Sequence, residues 1–234
     1  MPCTKPTLLL IPGTLCDERL FIRQRHVLRP MAHLHYANYN KLKNWEVWFA
    51  GLLSKLPTKF AVAGFSLGGL LALELLRRAP ERISHLALIA SNAEAASALT
   101  LRRATSLRKL WLRDGASAVV NHFIPSYFHH HSQRLRQTKL IHRMAADTPR
   151  NATLLEFAWA AQRPSGYGAL HQFTGPVVVV SGAHDLICPR HLQQALMTAQ
   201  PNAVWHESQH SGHFLPLEAP ALLNRALTNW LKPT

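Results

Sequence analysis

The chain has 234 residues, 47% of them hydrophobic and 16% charged, which excludes a disordered polymer and suits one compact core. Lys and Arg outnumber Asp and Glu by 26 to 12, a formal charge of +14 that favours anionic partners such as nucleic acid, an acidic membrane or an acidic protein without naming one. No apolar run reaches the roughly 18 residues of a membrane span, so no transmembrane helix is expected.

At the N-terminus, Met1-Pro2-Cys3-Thr4-Lys5-Pro6 leads into a short apolar run over 8–11, closed by Pro12-Gly13. That run is too short for a signal-peptide core and lacks a small-residue cleavage site, so it reads as a strand of an intact cytoplasmic protein. Asp17 caps a helix over 17–28, a strand follows over 33–39, and apolar residues at helical spacing mark a helix over 44–56. A second continuous apolar run covers 60–63, and helix formers fill 66–79, stopping before Pro80. Residues 86–90 and 177–180 are further buried strands, 190–199 a helix, 203–206 a last short strand and 217–231 a closing helix. Strand–helix alternation of this kind predicts a mostly parallel, doubly wound α/β sheet with helices on both faces.

Residues 93–173 break the alternation. They hold no convincing strand and read as several helices, interrupted near Gly115, Pro125, Pro149 and Pro164. The segment is expected to be a helical cap inserted after the strand ending near Ala90, with 1–92 and 174–234 forming the core. It carries eleven Lys or Arg and four Asp or Glu, half of the chain's net charge. Leu107, Leu110 and Trp111 share a helical face, while Arg102, Arg103, Arg108 and Lys109 make the region basic. The basic face is either simply solvated or a docking surface for an acidic protein or membrane.

The chemistry-bearing residues begin where strand 60–63 runs into Gly64-Phe65-Ser66-Leu67-Gly68 and a long helix follows. G-x-S-x-G in a strand–turn–helix setting exposes a nucleophilic serine on a turn so sharp that the residues two before and two after it approach closely, and only glycine avoids the clash. The alternative is an ordinary helix start with Ser66 as its N-cap. A serine hydroxyl needs a base, and the base an orienting acid. Asp185 follows the strand 177–180 in Ser181-Gly182-Ala183-His184-Asp185, and His213 follows the strand 203–206 in Ser211-Gly212-His213. Both therefore sit on loops at the carboxyl ends of strands, where sites of open α/β sheets collect. Alone, Asp185 reads better as a turn or helix-cap residue before Pro189.

These segments carry a resemblance. Leu10-Ile11-Pro12-Gly13-Thr14, Gly64-Phe65-Ser66-Leu67-Gly68-Gly69, Ser181-Gly182-Ala183-His184-Asp185 and Gly212-His213 followed by Glu218-Ala219-Pro220 resemble the α/β-hydrolase superfamily along nearly the whole chain. The compact length and small cap resemble bacterial carboxylesterases such as the pimeloyl-carrier-protein methyl ester esterase. The resemblance implies a serine esterase with Ser66, Asp185 and His213 as catalytic triad, and an oxyanion hole from the backbone N–H groups of Thr14 and Leu67. It also implies an ester substrate, free or linked to an acyl carrier protein, with no cofactor, metal or nucleic acid. Pro12 stands where a histidine is often found before the loop glycine, which leaves a backbone donor at Thr14 undisturbed. The same fold also supports lactone or C–C bond hydrolysis, or a non-enzymatic sensor.

Other patterns compete weakly. His206-Glu207-Ser208-Gln209-His210 matches the H-E-x-x-H zinc-protease pattern, but that chemistry needs a helix and this segment spans a strand end and a loop. His210 rivals His213 as base, and the resemblance favours the histidine directly after Gly212. The run His129-His130-His131 reads as a solvated loop rather than a metal site. Cys3, Cys16 and Cys188 show neither disulfide nor zinc spacing.

Overall fold

A computed structural model of the chain describes residues 5–129 and 131–232, with 131–136 described as backbone only. Cys3 and His130 lie outside the described residues. Six strands form one sheet: β1 (Thr7–Ile11), β2 (His33–Tyr36), β3 (Phe60–Phe65), β4 (Ile83–Ile89), β5 (Val177–Gly182) and β6 (Val204–Ser208). The spatial order is β2-β1-β3-β4-β5-β6 and every pairing is parallel, so each connection crosses over the sheet.

Parallel strands are buried on both faces, which is why the central ones read as unbroken apolar runs. Side chains alternate between two core clusters. Leu8, Leu10, Ala61, Ala63, Ala87, Ile89, Val178 and Val180 pack into one, and Leu9, Ile11, Val62, Leu86, Leu88, Val177 and Val179 into the other. The first face is covered by α1 (Ile22–Leu28) and the C-terminal α10 (Pro220–Trp230), and the second by α2 (Trp45–Ser54), α3 (Leu67–Arg78) and α8 (Arg190–Ala199).

Between β4 and β5 lie α4 (Ala98–Tyr127), α5 (His131–Asp147), α6 (Arg150–Gln162) and α7 (Tyr167–Gln172). The helix breaks expected at Gly115, Pro149 and Pro164 fall where the helical path is interrupted: Gly115 has φ 78°, Pro149 caps α6, and Pro164 lies between α6 and α7. Pro125 differs. α4 runs through it to Tyr127, because Val119, Val120 and Tyr127 are buried against the core and their packing outweighs one lost hydrogen bond near the helix end. The helix expected over 217–231 is split into α9 (Leu215–Glu218) and α10, because Pro220 has no N–H with which to continue the first. Strand β2 ends at Tyr36, after which the chain turns so that the Tyr39 hydroxyl donates to the Pro12 carbonyl (2.9 Å). No described helix is long and apolar enough to cross a membrane.

The topology fixes where a site can form. From β1 the chain moves to one side to make β2, then returns to the other side to make β3. The carboxyl ends of β1 and β3 therefore flank a switch point, and the loops after β5 and β6 open onto the same edge.

Candidate active site

Strand β3 is buried throughout and delivers Ser66 at a backbone of φ 53°, ψ −117°. This left-handed region is costly for any residue with a Cβ. The turn is held by backbone: the Ser66 N–H donates to Ile89 O (2.9 Å), and Ser91 Oγ donates to Ser66 O (2.8 Å). The Ser66 side chain caps nothing in α3, which sets aside the N-cap alternative. Its Oγ lies 3.0 Å from His213 Nε2 instead.

The other side of the imidazole meets Asp185, with His213 Nδ1 2.8 Å from Asp185 Oδ2. Asp185 Oδ1 accepts the N–H groups of Ile187 and Cys188, both at 2.8 Å. Burial opposes the charge on Asp185, but His213 and those two N–H groups outweigh it and hold the carboxyl below the usual aspartate range. An ionised Asp185 only accepts, so Nδ1 carries a proton and Nε2 is left to accept from Ser66. All three residues predicted from the sequence are thus joined in one hydrogen-bonded line.

The zinc-protease pattern is not assembled. His206, Glu207 and Ser208 belong to β6, where successive side chains face opposite ways, and Gln209 and His210 follow in a turn. Glu207 accepts from Arg190 Nε and from Gln209 Nε2, both at 3.1 Å. Among the described residues, the close grouping of ligand-type side chains is Asp185, Cys188 and His213, with ligand atoms within 4.8 Å of one another. Two of these atoms already bond to each other, and burial pushes the Cys188 thiol up, away from the thiolate a metal needs. In the histidine run, the His129 ring stacks on His184 with centroids 3.6 Å apart.

A family model described as alpha/beta hydrolase fold matches residues 38–220. The chain belongs to the α/β-hydrolase family. The pimeloyl-[acyl-carrier protein] methyl ester esterase of Aromatoleum aromaticum is 28% identical over 185 residues, covering 72% of each chain. The protein of the same name from Nitrosomonas europaea is 26% identical over 174 residues, covering 69% of this chain and 67% of its own. Among solved structures, a thermophilic esterase from Thermogutta terrifontis superposes with a TM-score of 0.83 at 20% identity, over 97% of this chain and 90% of that one. The enol-lactonase of Burkholderia xenovorans LB400 gives 0.82 at 18% identity, over 97% and 92%.

In this α/β hydrolase, Thr14 lies on the turn after β1, closed by Cys16 N–H to Gly13 O (3.1 Å). The N–H groups of Thr14 and Leu67 donate to no acceptor among the described residues. Ser66 and His213 open onto a cavity of about 180 Å³, and Thr14 is part of its wall. Its apolar lining includes Phe65, Leu107, Val119, Phe123 and Phe157, and Arg103 adds a cation.

Two carboxylates that sequence reasoning gave no role hold the loops of the site. Glu156 on α6 accepts the Leu15 N–H through Oε2 (2.9 Å). Glu218 accepts Gly212 N–H through Oε2 (3.0 Å) and His129 N–H through Oε1 (2.9 Å), bracing the loop that carries His213. Burial pushes the Glu218 carboxyl up, with those N–H groups opposing. The His213 loop is held from the other side by α4, whose Tyr127 O accepts His213 N–H (2.9 Å) and Phe214 N–H (3.2 Å). The signal for Glu156 was a lone acid in the apolar stretch Leu154-Leu155-Glu156-Phe157-Ala158-Trp159, and that for Glu218 was its place beside Ala219-Pro220. Glu218→Ala strands two N–H donors, which costs about 1–3 kcal/mol, and loosens His213. Thermal unfolding should show that loss, with kcat down about tenfold, while Glu218→Gln should recover only part of both, because its amide nitrogen cannot accept the second N–H.

Proposed function

We propose that this chain is a serine hydrolase of carboxylic esters acting through an acyl-enzyme, with Ser66 as nucleophile, His213 as base and Asp185 as its orienting acid. The observation that carries the reading is the line Asp185 Oδ2, His213, Ser66 Oγ, with contacts of 2.8 and 3.0 Å, opening onto an apolar cavity. His213 Nε2 takes the Ser66 proton as Oγ attacks the ester carbonyl. The oxyanion forms against the N–H groups of Thr14 and Leu67, at the positive end of α3. The alkoxide then leaves with the proton from His213, and water, activated by the same imidazole, releases the acid and restores Ser66.

The finer reading is a methyl ester of an acyl chain carried on an acidic carrier protein. Two relatives bear the name of such an esterase. Arg102, Arg103, Arg108 and Lys109 on α4 are exposed and form no ion pair among the described residues, and Arg103 reaches the cavity wall. In this reading the helices α4 to α6 are a cap that admits the acyl chain on one side and meets the carrier on the other.

A series of p-nitrophenyl esters of increasing acyl length, run beside methyl esters of carrier-bound acyl chains, tests both levels. Turnover of the short esters supports the esterase. A kcat/KM at least about tenfold higher for the carrier-bound ester, falling with added salt, supports the carrier reading. Fluorophosphonate labelling of Ser66 without turnover of any ester rejects both and points to a lactone or C–C bond.

A further inference from the structure

The loop that presents Thr14 is clamped from outside its own segment, and the clamp is chemically unusual. Leu15 has φ 57°, a left-handed backbone that costs energy for a leucine. Its buried N–H has Glu156 Oε2 as acceptor, from a residue 141 positions away on α6. The turn is otherwise tied by its own Cys16 N–H to Gly13 O contact and by Tyr39 at the Pro12 carbonyl. Without Glu156, the Leu15 N–H loses its acceptor, and the peptide that joins it to Thr14 is then free to rotate. That rotation would move the adjacent Thr14 N–H.

We propose that Glu156 is a positioning residue, whose buried carboxyl holds the Leu15 peptide and so aims the Thr14 N–H at the reacting carbonyl. The proposal rests on the serine-hydrolase reading of Ser66. Glu156 is fully buried, Oε1 has no hydrogen-bond partner among the described residues, and no Lys or Arg pairs with it. The titratable groups facing it are the Cys16 thiol and the Tyr39 hydroxyl, which burial keeps neutral. Burial raises the Glu156 carboxyl to about 8, with the Leu15 N–H only partly opposing. At neutral pH the carboxyl therefore accepts the Leu15 N–H as an uncharged group, and places no negative charge beside the forming oxyanion. Above that pH it ionises, and a fixed anion then opposes the charge that the transition state must build.

The test compares kcat and KM of wild type, Glu156→Gln and Glu156→Leu across neutral and alkaline pH with a neutral ester. The amide can accept from Leu15 and cannot ionise, whereas leucine cannot accept at all. Wild type should lose kcat with a midpoint near pH 8. Glu156→Leu should lose about tenfold or more in kcat at neutral pH with little change in KM, and Glu156→Gln should restore most of that loss without the alkaline fall. An alkaline fall in Glu156→Gln that coincides with wild type overturns the proposal, even where the leucine variant does not fold. Wild-type kcat in Glu156→Leu also overturns it. Full activity in Ser66→Ala removes the serine reading and this role with it, whereas a Ser66-dependent enzyme indifferent to Glu156 removes this role alone.

Discussion

Ser66→Ala should leave a folded protein whose ester turnover is lower by roughly 10⁴-fold or more. Folding should survive because what holds position 66 is backbone. Its N–H donates to Ile89 O, and its carbonyl accepts from Ser91 Oγ and from the N–H groups of Gly69 and Leu70. Alanine keeps all of these and bears the same left-handed φ of 53°. The side-chain oxygen contributes one contact, to His213 Nε2, so its removal costs little stability and deletes the atom proposed to attack. Thermal unfolding and kcat measured on the same preparation separate the two effects. Asp185→Asn should act through the imidazole, since an amide nitrogen facing Nδ1 favours the wrong tautomer, at a cost of about 10⁴ in kcat. Undiminished turnover in Ser66→Ala would sink the serine mechanism.

The legible parts of this molecule were those with local causes. Continuous apolar runs announced β1, β3, β4 and β5, because strands buried on both faces need no alternation. The two glycines around Ser66 marked the turn because two backbones cross there. Asp185 and His213 were legible from their places after strands, and the family resemblance preferred His213 over His210, which the structure leaves in a turn beyond β6. The illegible parts have distant causes. Nothing near Glu156 in the chain says that its carboxyl will meet the Leu15 N–H, since their pairing depends on how α6 returns over the β1 loop. Pro125 looked like a helix end because its local cost is real, and the burial of Val119, Val120 and Tyr127 that overrides it is a tertiary effect. Residues 37–39 read as the end of the strand expected over 33–39, yet leave the sheet once Ala37 N–H has reached Leu10 O.

Gly64→Ala should be among the most destabilising single substitutions in the chain, and Gly51→Ala is its control. A Cβ on Gly64 would lie 2.1 Å from Gly68 O, 2.3 Å from Gly68 C and 2.5 Å from Gly69 N. All three are backbone atoms, so no side chain can swing aside, and relief requires pulling the start of α3 off the end of β3. Gly68 extends the same crossing, because its Cβ would meet Ile11 O at 2.1 Å and Pro12 O at 2.6 Å, the backbone that leads to Thr14. Three chain segments therefore touch at the switch point with no room for a methyl group, and the Ser66 turn is shaped by that contact. Displacing backbone in a packed core costs about 3 kcal/mol or more, out of a typical total of about 5–15 kcal/mol. For a chain of this size the expected drop in Tm is about 6–12 °C, with activity falling further than stability because Ser66 and Thr14 shift together. Gly51 on α2 has nothing within 4 Å of its Cβ position, so alanine there should be neutral or stabilising by up to about 1 kcal/mol through helix propensity. Equal Tm values for the two variants would mean that the turn is not held by backbone contact, and that Ser66 owes its strained φ to something else.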